Sequence, residues 1–172
     1  MCADVVRVRE RQPTTEAGSA VQIPVGSASL HGRLLLGPLP RGLVIVGNGD
    51  GDHVYDETNG HIALKLYEAG FAVLIVDLLT PNEMAKDAET SALRFRHRLL
   101  AARLLRVTRW MHASSALNDV DIGLFASGLC GGAALLAGSV SSSLSAVVCR
   151  GARIDFAVPR LAGCAIRGAI LC

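Results

Sequence analysis

Aromatic side chains make up only 4% of these 172 residues. A core must therefore be assembled from Leu, Val, Ile and Ala, and an apolar fraction of 51% is ample for that. Charge of one sign is also lacking. A formal net charge of +2 gives no electrostatic basis for nucleic acid or an anionic membrane surface as partner. No apolar run approaches the roughly 18 to 20 residues that cross a bilayer. The stretches around Val44 and Val73 are short and end in polar turns. Met1 to Glu16 carries Arg7, Arg9, Glu10 and Arg11 with no apolar run, which is not the pattern of a secretory leader. Residues 1–18 are expected to form a flexible tail, ahead of one domain over residues 19–172. Cysteine is present but unorganised. Cys2, Cys130, Cys149, Cys164 and Cys172 are odd in number and match neither a zinc site nor a disulfide framework. The expectation is buried thiols in a reducing cytoplasm, with no metal and no cofactor.

What is there is an alternation of strand and helix signals. Val21–Val25 and Leu30–Leu36 flank Gly26-Ser27-Ala28-Ser29, which predicts a hairpin with a four-residue turn. After Pro38 and Pro40, the continuous apolar run Leu43–Val46 suits a strand covered on both faces. It empties into the Gly-rich loop Gly47–Gly60. Helical spacing follows over His61–Glu68, with Gly70 at the capping position. Phe71–Val76 is a second buried strand ending at Asp77, followed by a loop containing Pro81. Thr90–Met111 reads as one long amphipathic helix, with Leu93, Leu100, Leu104 and Val107 on one face and arginines on the other. Ile122–Phe125 is a third strand, Gly128–Gly138 a tight turn into a helix of small residues, Leu144–Val148 a fourth strand, and Ala169–Leu171 the start of a fifth. Ser139–Ser143 is a loop. The alternation predicts an α/β fold with a mainly parallel sheet. Sites in such sheets form at the carboxyl ends of strands, here the loops after Val46, Val76, Phe125 and Val148.

Gly70-Phe71-Ala72-Val73-Leu74-Ile75-Val76-Asp77-Leu78-Leu79-Thr80-Pro81 and Leu93-Arg94-Phe95 together resemble dienelactone-hydrolase-like α/β-hydrolases. Trp110, Ile122-Gly123-Leu124-Phe125 and Arg150-Gly151-Ala152-Arg153-Ile154-Asp155 add to the resemblance, which runs from Val21 to the C-terminus. Each motif alone is weak; their order and spacing are specific. The resemblance implies a three-layer α/β-hydrolase fold, truncated in its C-terminal part. It also implies hydrolysis of a small ester or lactone by a nucleophile on a strand-to-helix turn, assisted by a histidine and an acid.

The elbow has two registers. Counted without gaps from Ile122, it reads Ala126-Ser127-Gly128-Leu129-Cys130, with Gly128 at the nucleophile position and Ser127, a weak alternative nucleophile, one place early. The other register is Gly128-Leu129-Cys130-Gly131-Gly132, a G-x-C-x-G in which Cys130 attacks as a thiolate favoured by the following helix. The competing account of Cys130 is a small buried residue in the first turn of a packed helix. The loop Gly47-Asn48-Gly49-Asp50-Gly51-Asp52 stands where the family carries a His-Gly element. The resemblance makes Asn48, Gly49 and Gly131 the expected oxyanion-binding residues. Asp50, Asp52 and Asp56 fail the calcium-loop pattern, since Tyr55 falls where glycine is required. Asn59 is expected to cap the helix after the loop, and Asp77 to organise the loop or face the site.

After Cys130 there is one acid, Asp155, outside the expected triad position, and no histidine. Among His31, His53, His61, His97 and His112, only His53 lies in a loop on the site side, where an exposed loop residue is the plainer account. Two functions follow. One is a dienelactone-hydrolase-like enzyme, impaired because the acid and histidine of its triad are missing. The other is a non-catalytic binding or interaction protein on the same fold. A sheet left incomplete would expose an apolar edge, for which a homodimer or a partner chain is the expected cover.

Overall fold

The computed structural model describes residues 18–49, 57–114, 117 and 119–152. The predicted tail, apart from Gly18, and the predicted fifth strand lie outside the described residues.

The chain opens with the antiparallel hairpin β1 (Ser19–Val25) and β2 (Ala28–Leu35). Val25 pairs with Ala28, so the turn is Gly26-Ser27 and not the four residues expected. Gly26 has φ 69, the sign that a two-residue primed turn requires at its first position and that glycine adopts without strain. The side chains of Ala28 and Ser29 carry no strand signal, so the ladder's reach into the turn was hidden.

β3 (Leu43–Asn48) follows, then α1 (Glu57–Glu68) and β4 (Ala72–Asp77). Gly70, with φ 89, terminates α1 as expected. Asn59 is the third residue of α1 and does not stand at the position before it. The stretch after β4 is not a loop. It is α2 (Pro81–Thr90), opened by a capping box in which Thr80 accepts from the Glu83 N–H and Glu83 accepts from the Thr80 N–H, with Pro81 in the first turn. Ser91, at φ 52, closes it. The long helix predicted from Thr90 is therefore two: α3 runs only from His97 to His112. The apolar period across both segments concealed the break. β5 (Ile122–Ser127), α4 (Gly128–Ser139) and β6 (Ala146–Arg150) complete the described chain.

The strand order is β1-β2-β4-β3-β5-β6. The four central and distal strands, β4-β3-β5-β6, are parallel, while β2 runs antiparallel to β4. This is the expected three-layer α/β architecture. On β4, Ala72, Leu74 and Val76 join the larger core with Leu100, Leu104 and Val107 of α3 and the alanines of α4. Val73 and Ile75 face the other way, into a smaller cluster with Val46 and Ala63 under α1. Every residue of β4 is buried, which is why its sequence is unbroken apolar rather than alternating. On the α1 side a cavity of about 500 Å³ remains beside β5 and β6, lined by Ile62, Leu66, Phe71, Phe125 and Val148.

β3 lies between β4 and β5, so the chain leaves it first towards one neighbour and later returns on the other side. The carboxyl ends of β3 and β5 thus flank the topological switch point, where open α/β sheets bind ligands.

Candidate active site

The β5–α4 junction is set by backbone conformation. β5 ends at Ser127, whose φ of −116 and ψ of 161 are extended, and the next residue, Gly128, has φ 54 and begins α4. A left-handed residue at this point lets a strand fold directly back as a helix. Glycine takes it without the cost of roughly 1–2 kcal/mol met by other residues. The structure thus places Gly128, the elbow residue of the ungapped register, at the strand-to-helix turn.

Cys130 stands two residues further on, in the first turn of α4, and is 2% exposed. Its sulfur packs against the backbone of Gly49 on the neighbouring loop. A Cβ built on Gly49 would lie 2.5 Å from Cys130 Sγ. The fold therefore brings Cys130 and Gly49 together. Ser127 is half-buried, and its side chain makes no capping hydrogen bond. Gly131 is buried inside α4. Its missing side chain admits Ala152, which a Cβ at 131 would strike, and its carbonyl accepts from Cys149 Sγ at 3.4 Å. Its position is thus set by helix-to-strand packing.

Asn48, at the end of β3, is buried, and its Nδ2 donates to Asp77 Oδ1 over 3.3 Å. The Leu78 N–H donates to the Asn48 carbonyl at 2.7 Å, which continues the β3–β4 ladder into the loops. Asp77 organises the adjoining loop ends, as one of its two expected roles had it. His53, Asp50, Asp52, Asp56 and Asp155 lie outside the described residues. His31 and His61 are exposed on β2 and α1, and His97 and His112 are the first and last residues of α3. No group of three or more metal-ligating side chains occurs among the described residues. No helix among them is long and apolar enough to cross a membrane.

Sequence reasoning missed the scaffold behind these loops. Arg103 of α3 donates from Nη1 to the Leu78 carbonyl at 2.6 Å and, through both Nη atoms, to the two Glu83 carboxylate oxygens at 2.7 Å. This forked pair holds the Glu83 pKa at about 2, well below its ordinary 4.5. Asp87 is wholly buried. Burial alone would raise its pKa. The Arg94 guanidinium and the backbone N–H groups of Arg94 and Leu93 more than offset that, and hold it lowered. The signals were present in the sequence: Thr80-x-x-Glu83 before a helix is a capping box. The Leu79-Thr80-Pro81 and Leu93-Arg94-Phe95 motifs that carried the resemblance are the cap of α2 and the ion-pair partner of its last turn.

The chain is similar in structure to a dienelactone hydrolase from Anabaena variabilis, with a TM-score of 0.85 and 34% identity over 93% of this chain and 73% of that one. Est1E from Butyrivibrio proteoclasticus shares the fold at a TM-score of 0.65 and 17% identity, over 84% of this chain and 54% of its own. Among curated proteins, a provisionally named phosphoribosyl transferase of Mycobacterium tuberculosis is 36% identical over 138 residues, which is 80% of this chain. The chain spans about 30% of the length of that relative. No family model matches the sequence.

Proposed function

Since the chain belongs to the dienelactone-hydrolase-like α/β-hydrolases, we propose that it is a non-catalytic binding protein on that frame, the second of the two functions above. The observation that carries this reading is Gly128 at φ 54, first residue after β5. The hydrolase mechanism needs a hydroxyl or thiol on the strained residue of the elbow, where it is aimed into the crevice. Glycine has none. Ser127, one residue earlier, is still in extended strand conformation. The binding role is supported by the switch point between the ends of β3 and β5, the place where open α/β sheets receive ligands, with the backbone of Asn48 and Gly49 beside it. The transferase name of the mycobacterial relative belongs to a protein of which this chain matches 30%, whereas a strand-to-helix elbow is acyl-transfer architecture.

A second reading has one observation in its favour. Cys130 Sγ reaches Gly49, on the loop that the family uses beside its oxyanion site, so a thiol hydrolase would find its nucleophile next to the right backbone. Burial of Cys130 weighs against it, because a catalytic thiol needs an approach for the substrate.

Turnover of an activated aryl ester, measured on the wild-type chain and on Cys130→Ala, separates the two. We expect both proteins to match the uncatalysed rate, while a small lactone raises the melting temperature of both. Turnover above background that vanishes in Cys130→Ala would overturn the binding reading and establish the thiol.

A further inference from the structure

α3 carries Arg98, Arg103, Arg106 and Arg109 and not one acidic residue. Arg103 is committed to Glu83. Arg98, Arg106 and Arg109 are exposed, and none forms an ion pair with any described residue. Arg106 is nonetheless held in place: its Nε donates to the Pro24 carbonyl at the end of β1, over 3.1 Å. That bond does not use its two terminal nitrogens. Arg109 follows three residues on, so the two guanidinium groups are neighbours on one helix face.

Between them lies a shallow, solvent-open cavity of about 380 Å³ on the surface, lined by Pro24, Arg106, Arg109 and Trp110. Trp110 is half-buried, with part of its ring packed against the main core. Two adjacent cations with no ion-pair partner among the described residues create a local positive field, and guanidinium forks match phosphate oxygens. An indole beside a proline ring offers flat apolar surface on which a planar ring can stack.

We infer that this cavity is a binding site for a small phosphorylated compound bearing a planar ring, an aryl phosphate or nucleotide, with the phosphate on Arg106 and Arg109 and the ring against Trp110 and Pro24. It shares no residue with the elbow and does not depend on whether the elbow is active.

Trp110 is the sole tryptophan of the chain, so its fluorescence reports on this cavity alone. The test titrates the full chain with phenyl phosphate, inorganic phosphate and phenol. We expect a saturable change with phenyl phosphate and, for the other two, affinities weaker by about tenfold or more, since each offers half of the contacts. Arg109→Gln, at an exposed position, should keep the wild-type melting temperature and weaken phenyl phosphate by about tenfold. No saturable response, or an unchanged affinity in Arg109→Gln, would overturn the site. Inorganic phosphate binding as tightly as phenyl phosphate would overturn the planar-ring ligand.

Discussion

Two regions meet at the carboxyl edge of this sheet and are built in opposite ways. The shoulder formed by α2 and the start of α3 is held by directed charge. Glu83 is forked by Arg103, and Asp87 accepts from Arg94 and two backbone N–H groups. The elbow between β5 and α4 is held by absence of bulk. Gly128 turns the chain, Gly131 admits Ala152, and Gly49 admits Cys130. In the shoulder, function-independent motifs persist as specific polar contacts. In the elbow, small residues serve close packing, and the residue at the strand-to-helix turn is a glycine. Directed polar contacts and absence of bulk are thus two separate ways in which this fold fixes neighbouring loops.

The largest effect should come from Asp87→Ala in the shoulder. It strips Arg94 of its partner and leaves two N–H groups unpaired beside a wholly buried position. We expect a loss of about 3–5 kcal/mol, read as a lowered denaturant midpoint. A loss below about 1 kcal/mol would show that the network relaxes around the gap.

In the elbow, Gly49→Ala should cost about 1–3 kcal/mol by overpacking against Cys130. Adding Cys130→Ala should recover part of that cost, because the sulfur is the atom struck. Strict additivity in the double variant would mean that Gly49 is required for its backbone and not for the space it leaves.

The mildest test is pH. The folded-state pKa of Glu83 lies at about 2, below its ordinary 4.5. A depressed carboxylate contributes stability that is complete above about pH 4.5 and is lost as pH falls towards 2. Asp87 is lowered too and acts in the same direction. Glu83→Gln should therefore show a shallower fall of melting temperature than wild type over that window, with little difference in slope near pH 7. Parallel curves would place the acid sensitivity elsewhere.

The sequence was legible wherever one local rule decided the outcome. Unbroken apolar runs at Leu43–Val46 and Phe71–Val76 suit strands covered on both faces, and the parallel sheet contains a strand at each. Gly70 stopped α1, and Gly128 opened α4. The α2 helix was missed because Pro81 reads as a loop until Thr80 and Glu83 are taken together as a cap. The break before α3 was missed because apolar spacing carries across it, and what closes α2 is Ser91 in the left-handed region, a conformation that no pattern announces.

The sequence by itself determined the fold class and the small-residue character of the elbow, since periodicity and side-chain volume are properties of the chain. It left the elbow with two readings, because G-x-C-x-G and the ungapped count describe the same letters. Only the tertiary structure chose where the turn falls. β5 stays in register with β3 through Ala126 and with β6 through Ser127, so the chain turns at the next residue, Gly128. The contacts of Cys130 with Gly49, of Gly131 with Ala152 and of Arg106 with Pro24 join residues distant in sequence. Their pairing is decided by how the layers pack, which no local pattern encodes.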